Sequence, residues 1–115
     1  MNIKEIVQLI EGNIVTESPS IDGEILYAFA SDLMSDVLTI NHPTGIVLLT
    51  GLANVQTIRT VEMAGLNLVI LVRGKKATVD MISIAQENDI IIAETKYSTF
   101  RTSAILYNAG IKSIF

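Results

Sequence analysis

The sequence contains no cysteine, and its eight lysines and arginines are outnumbered by twelve aspartates and glutamates. Without cysteine the chain can form no disulfide, no thiolate nucleophile and no thiolate metal site. The net charge of −4 argues against a general nucleic-acid binder, which would normally show a basic face. These absences favour a cytoplasmic protein that does not act on nucleic acid.

Long apolar runs are also missing. None approaches the ~20 residues that span a bilayer, and no basic start is followed by an apolar stretch, so we expect neither membrane insertion nor a signal peptide. Apolar residues nevertheless make up 50% of the chain and aromatic residues only 5%. A domain of this size buries only about two-thirds of its unfolded surface. Since the mean hydropathy is as high as +0.49, we expect a homodimer with an aliphatic contact.

The N-terminal third of the chain shows a helix, a loop and a strand. Residues Ile3, Ile6, Val7 and Ile10 have the spacing of one helix face. A brief strand and a loop are predicted within 12–24, and a buried strand at 24–30. The stretch "SDLMSDVLTIN" then predicts a short helix whose apolar face contains the residues Leu33, Met34, Val37 and Leu38.

From residue 46 onward, apolar strands alternate with helices. Strands are predicted at 46–50, 68–73 and 90–94 and in the tail "IKSIF", and helices at 54–64, about 78–88 and 98–109. Glycine at position 65 suits a left-handed helix cap. Phe100, Ala104 and Tyr107 share a helix face, and we expect the tyrosines and phenylalanines to pack in the core. This pattern predicts one α/β domain over residues 1–115, with a mostly parallel sheet covered by helices.

Ligands of open parallel sheets bind beyond the carboxyl ends of the strands. Three loops meet that description here, and they offer hydroxyls, cations, glycines and helix N-termini that attract anions. We therefore predict one shared site for a nucleotide or phosphorylated metabolite. Its candidate residues are Thr50, Gly51, Asn54, Arg73, Gly74, Lys75, Lys76, Thr95, Ser98 and Thr99.

Each of these loops also has a simpler interpretation. The first lacks both G-x-x-x-x-G-K-[ST] and G-x-G-x-x-G, and Asn54 is a favoured helix cap, although Thr57 leaves no full capping box. The basic loop starting at Arg73 can equally be a solvated turn, with Gly74 at positive φ.

Acidic residues offer one further candidate. Asp32 and Asp36 are four residues apart, so on a helix they share one face and could hold Mg²⁺ or share a proton. The alternative is that they cap the helix, together with Ser31 and Ser35. The single histidine, His42, lies in a predicted turn. We predict no resident metal, no cofactor and no enzymatic activity.

Four stretches, "SDLMSDVLT", "LLTGLANVQTIRTVEMAG", "LVRGKK" and "AETKYSTFRTSAILYNAGI", together resemble the DRTGG domain family. The resemblance covers nearly the whole chain, most closely residues 24–110. It is closest to small stand-alone members and more distant to the N-terminal domain of HPr kinase. It implies a Rossmann-like α/β domain, often fused to CBS nucleotide-sensing modules or phosphotransacetylase, homodimeric where described and with no assigned catalytic residues.

The residues that name the family are mostly replaced. Its Asp-Arg pair aligns with Leu52 and Ala53, and its Thr-Gly-Gly aligns with residues 72–74, where only Gly74 is retained. A ligand that depends on those residues need not be shared. We therefore expect a non-catalytic regulatory or protein-interaction module, with a small-ligand sensor as the alternative.

Overall fold

The computed structural model describes residues 1–17, 23–41 and 44–115. The predicted turn at His42, and part of the loop predicted within 12–24, lie outside these residues. The helices are α1 (Ile3–Leu9), α2 (Met34–Val37), α3 (Val55–Met63), α4 (Val79–Glu87) and α5 (Thr99–Asn108). The strands are β1 (Asn13–Ile14), β2 (Tyr27–Ala30), β3 (Ile46–Thr50), β4 (Leu68–Leu71), β5 (Ile91–Glu94) and β6 (Lys112–Ser113).

The strands form one sheet in the order β1-β5-β4-β3-β2-β6. All neighbours pair in parallel except β1, which runs antiparallel to β5. Strands β2 to β5 follow one another across the sheet, and α5 then returns the chain to the far side of β2. The predicted α/β fold with a mostly parallel, helix-covered sheet is confirmed.

Two apolar cores lie on opposite faces of the sheet. On one face, α1 and α5 pack on the strands through Ile6, Ile10 and Leu106. On the other face, α2, α3 and α4 pack through residues such as Val37 and Met81. Every residue of β3, β4 and β5 is buried, as expected for parallel strands covered on both sides.

Polar side chains fix where the helices begin. Asn2 forms a capping box with Glu5 at the start of α1. Thr78 and Ser98 accept backbone hydrogen bonds at the starts of α4 and α5. Each such cap satisfies an N–H that the helix itself leaves unpaired. The predicted left-handed cap after α3 is confirmed, because Gly65 has φ 75°.

The region around β2 and α2 differs from its prediction. The strand covers only Tyr27–Ala30 and is partly exposed, because its outer neighbour β6 is two residues long and leaves much of β2 near the sheet edge. Helix α2 is a single turn, in which Met34 and Val37 are buried. Leu33 and Leu38 are exposed, because they flank this turn and do not share its inner face.

Helix α5 also presents a different face from the one predicted. Thr102 and Leu106 are buried, whereas Phe100 is 85% and Tyr107 71% exposed. At ~100° per residue the two sets are centred about 130° apart around the helix. The prediction that Phe100, Ala104 and Tyr107 face the core is therefore wrong, because a second stripe of mainly aliphatic residues occupies that position.

Candidate functional site

The loop after β3 is closed by a carboxylate from a neighbouring segment. Asp32, which follows β2, accepts hydrogen bonds through Oδ1 from the Thr50 hydroxyl at 2.8 Å and the Gly51 N–H at 2.7 Å. Thr50 is fully buried. The Thr50 oxygen in turn accepts from the Leu52 N–H at 3.2 Å. An anion from within the chain therefore already uses the donors that the sequence offers to a phosphate.

This arrangement corrects the interpretation of Asp32 and Asp36. Asp32 precedes α2 and lies outside it, whereas Asp36 belongs to the helix, so the two carboxylates do not share a helix face. Ser31 stabilises the local turn, since its hydroxyl oxygen accepts from the Leu33 N–H at 3.0 Å. Asp32 thus connects two strands at their carboxyl ends and does not cap α2.

Asn54 caps α3, as its simpler interpretation predicts. Its side-chain oxygen accepts from the Thr57 N–H at 2.9 Å and from the Thr57 hydroxyl at 3.0 Å. The Thr57 hydroxyl oxygen also lies 2.8 Å from the Leu52 carbonyl oxygen, so the two acceptors compete for its single hydrogen. These contacts hold Asn54 at the start of the helix, and they occupy its side-chain oxygen with hydrogen bonds within the protein.

The helices that follow β4 and β5 lie on opposite faces of the sheet, which makes the carboxyl ends of these two neighbouring strands its switch point. The loop after β4 leads to α4 on one face, and the loop after β5 leads to α5 on the other. Ligands of open α/β sheets bind at such a crevice. Backbone hydrogen bonds join the two sides of this crevice, because the Arg73 N–H donates to Tyr97 O at 2.7 Å and the Gly74 N–H donates to Thr95 O at 2.9 Å.

The turn at this point is a tight reversal in which both central residues have positive φ. Arg73 has φ 57° and Gly74 φ 73°, and Lys75 N–H donates to Val72 O at 3.2 Å. Glycine adopts this conformation freely, whereas for arginine it costs on the order of 1–2 kcal/mol. The interpretation of Gly74 as a turn glycine is confirmed. The hydrogen bond from the Arg73 N–H to the Tyr97 carbonyl oxygen helps to hold Arg73 in this less favourable conformation.

A second internal carboxylate lies beneath this turn. Glu94 is only 8% exposed, and its side chain accepts from the Ala77 N–H at 2.7 Å and lies 3.4 Å from the Lys76 amine. Arg73 and Lys75 are exposed and form no ion pair with any described side chain. Of the basic residues predicted for the site, Lys76 is thus paired internally, and Arg73 and Lys75 face solvent.

The hydroxyls of the third loop mostly serve the fold. Thr95 is buried, donates to Ile10 O at 2.7 Å and accepts from the Tyr97 N–H at 3.2 Å. Ser98 accepts from the Arg101 N–H at 3.1 Å as the cap of α5. Thr99 is exposed at the first turn of the helix. Ser98 and Thr99 are thus both exposed, whereas the Thr95 hydroxyl is buried and engaged within the protein.

A small polar cluster lies beside the third loop. Tyr97 donates its hydroxyl hydrogen to the Glu11 carboxylate, and the Arg101 guanidinium stacks on the Tyr97 ring, 3.8 Å from its centroid. The hydrogen bond to Glu11 raises the pKa of Tyr97, and the weaker opposing effect of Arg101 does not offset it. Because Glu11 follows α1, the cluster ties the N-terminal segment to the switch point.

The sheet thus aligns the three predicted loops along one edge, but the loops differ in how many polar groups they leave available to a ligand. Backbone bonds join the second and third loops, and Val72 N–H donates to Thr50 O at 3.0 Å beside the first. Sequence reasoning missed Asp32 and Glu94 as internal anions. The sequence signal that could have identified both is an acidic residue at or just after the end of a predicted strand.

A separate apolar groove of about 430 Å³ opens on the α5 face of the sheet. Its lining comes from one side of α5, from strands β2 and β3, and from the segment of β6, which pairs with β2 in the same sheet. Its lining residues are Ala28, Ala30, Leu49, Phe100, Ser103, Ala104, Leu106, Tyr107, Asn108, Ile111, Lys112 and Ser113. None of these lining residues is acidic. Sequence reasoning identified the stripe through Phe100 and Tyr107 but assigned it to the core.

Two kinds of feature are absent from the described part of the chain, a metal-binding cluster and a membrane-spanning helix. No three histidine, aspartate or glutamate side chains there converge to hold a metal ion. No helix in residues 1–17, 23–41 or 44–115 is long and apolar enough to cross a membrane.

Comparison with known proteins finds similarity at the level of fold. No protein-family model and no curated protein matches the chain. Among solved structures, it is similar to the CBS and DRTGG domains of the regulatory region of Clostridium perfringens pyrophosphatase, complexed with an activator, diadenosine tetraphosphate. The TM-score is 0.73 at 14% identity, over 91% of this chain and 45% of that chain. This chain thus spans less than half of that regulatory region and has a DRTGG-like fold.

Proposed function

We propose that this chain is a non-catalytic regulatory or protein-interaction module of DRTGG type, acting in the cytoplasm as a homodimer. The observation that carries the proposal is the apolar groove beside α5, with Phe100 and Tyr107 left exposed on its wall. Contiguous exposed apolar surface of this kind is typical of interaction sites. The similar solved structure supports the proposal, since it is a regulatory region of an enzyme and not its catalytic part.

Light scattering tests the assembly, and an activity assay tests the lack of catalysis. At concentrations of tens to hundreds of micromolar, the expected mass is twice the 12.5 kDa of one chain. With ATP, GTP or pyrophosphate, with or without Mg²⁺, we expect no hydrolysis or phosphoryl transfer. Turnover that survives repurification would contradict the proposal, as would a clean monomer at every concentration.

The second candidate is a small-ligand sensor at the carboxyl ends of β3, β4 and β5. Arg73 and Lys75 support it, because both cations are exposed, unpaired among the described residues and placed at the switch point of the sheet. The similar solved structure binds a nucleotide activator, which points to a nucleotide or phosphorylated metabolite as the class to test. Asp32 closes the first loop, so the proposed contact lies with the second and third loops.

A thermal-shift screen with nucleotides and phospho-metabolites would find such a ligand, since binding to the folded state raises apparent stability. The best anion is then titrated against the Arg73→Ala/Lys75→Ala variant. Each lost charge-assisted contact should cost about 1.5–3 kcal/mol, roughly tenfold or more in affinity. The control is Lys4→Ala/Arg59→Ala, which removes the same charge from exposed sites on α1 and α3. Unchanged binding by the first variant would refute this site.

A further inference from the structure

The outer stripe of α5 has the composition of a buried surface. Phe100, Ser103, Ala104 and Tyr107 follow one another at i, i+3, i+4 and i+7 and all line the groove. This spacing defines one face of a helix. A solvent face normally carries charged residues, as α1 does with Lys4. The stripe on α5 carries none, although the helix already has a separate buried face.

The stripe is also symmetric along the helix. Its two aromatic residues lie at the ends and its two smallest lie in the middle, so that its centre falls between Ser103 and Ala104. An antiparallel copy related by a two-fold axis at that point would bring Phe100 against the partner's Tyr107. Small residues at a crossing let helix axes approach to about 8 Å. A closed two-fold dimer requires this kind of self-complementary patch.

The available area fits a modest dimer. Aromatic side chains bury about 150–250 Å² each, so Phe100 and Tyr107 at their exposure offer roughly 300 Å² per protomer. A standard interface takes about 800 Å² from each partner. The lining residues Ala28, Ala30 and Lys112 would supply further contact under the same docking. The aromatic area alone is less than half of that share, which suits a weak, concentration-dependent dimer smaller than the standard size.

Resting on the proposed homodimer, we propose that two copies of this chain associate through the outer stripe of α5, antiparallel about a two-fold axis between Ser103 and Ala104. A partner of another sequence would have no need for this internal symmetry. Charge supports a second copy as well, because the stripe brings no like charges together at its centre.

Sedimentation velocity of the wild-type chain, Ala104→Glu and Val79→Glu tests the inference. Ala104→Glu places two negative charges near the axis, and like charges at an interface are strongly unfavourable, so dimerisation should weaken at least about a hundredfold. Val79 is the matched control, since it is 82% exposed on α4 and α4 packs on the opposite face of the sheet. Circular dichroism checks that both variants fold.

Mixing supplies a rescue that a merely misfolded variant cannot show. Ala104→Lys should also be monomeric alone, and an equal mixture with Ala104→Glu should form heterodimers because opposite charges then face each other. A wild-type dimer that persists in Ala104→Glu overturns this surface and leaves the homodimer proposal standing. A monomeric wild-type chain overturns both. Dimers that are lost equally in Val79→Glu would also overturn the assignment to α5.

Discussion

Replacing Asp32 with alanine tests whether an internal carboxylate closes the first loop. The change removes the acceptor for the buried Thr50 hydroxyl and for the Gly51 N–H. Hydrogen bonds to charged groups contribute about 1.5–3 kcal/mol each, but Asp32 itself is exposed and water can replace part of the contact at Gly51. We therefore expect a loss of about 1.5 kcal/mol, or roughly 6 °C in Tm for a domain of this length.

The assay is urea unfolding followed by circular dichroism, with Asp36→Ala as the matched control. Asp36 is an exposed aspartate four residues away whose carboxylate makes no hydrogen bond with the described residues. It should change stability by less than about 0.5 kcal/mol. Equal losses in both variants, or stabilisation of the wild type alone by Mg²⁺, would refute the reasoning and return the two aspartates to the role of a metal pair.

Two further outcomes follow from close contacts elsewhere. Gly12→Ala should destabilise the folded protein by about 1–3 kcal/mol, because a Cβ at that position would lie 2.7 Å from the Glu94 carbonyl oxygen and the tight contact leaves no room for it. A Tm within a degree of the wild-type value would contradict this. The phenolate absorbance of Tyr97 should titrate above pH 10.0, and Glu11→Gln should lower that pKa, whereas equal titration in both proteins would contradict the contact. Because the pKa of Tyr97 is raised in the folded state, the hydrogen bond to Glu11 stabilises the fold below pH 10.0. This stabilisation is lost as the pH rises through the raised pKa of Tyr97.

Sequence periodicity was sufficient for the elements from residue 46 onward. Strands such as Ile46–Thr50 are continuous apolar runs bounded by turn residues, and the helices after them begin at Asn54, Thr78 and Ser98, each a favoured cap type. These signals are local, because each depends on residues within a few positions. Their boundaries agree with the structure to within two residues.

The missed features depend on which strands become neighbours. Asp32 reaches Gly51 across 19 positions of sequence, and only the pairing of β2 with β3 brings them together. The α5 face was misassigned for a related reason. The helix has an aromatic stripe and a stripe with Leu106, both with helical spacing, and local spacing does not say which one meets the sheet. The predicted ligand residues stay a prediction.

The central claim is that this module works by association through α5, and a disulfide crosslink tests it most directly. Because the chain has no cysteine, Ala104→Cys introduces a single thiol next to the proposed two-fold axis. Under mild oxidation at concentrations that favour dimers, we predict a disulfide-linked dimer on a non-reducing gel and none for Val79→Cys. Equal crosslinking of the two variants, or none for Ala104→Cys while light scattering shows a dimer, would contradict the account.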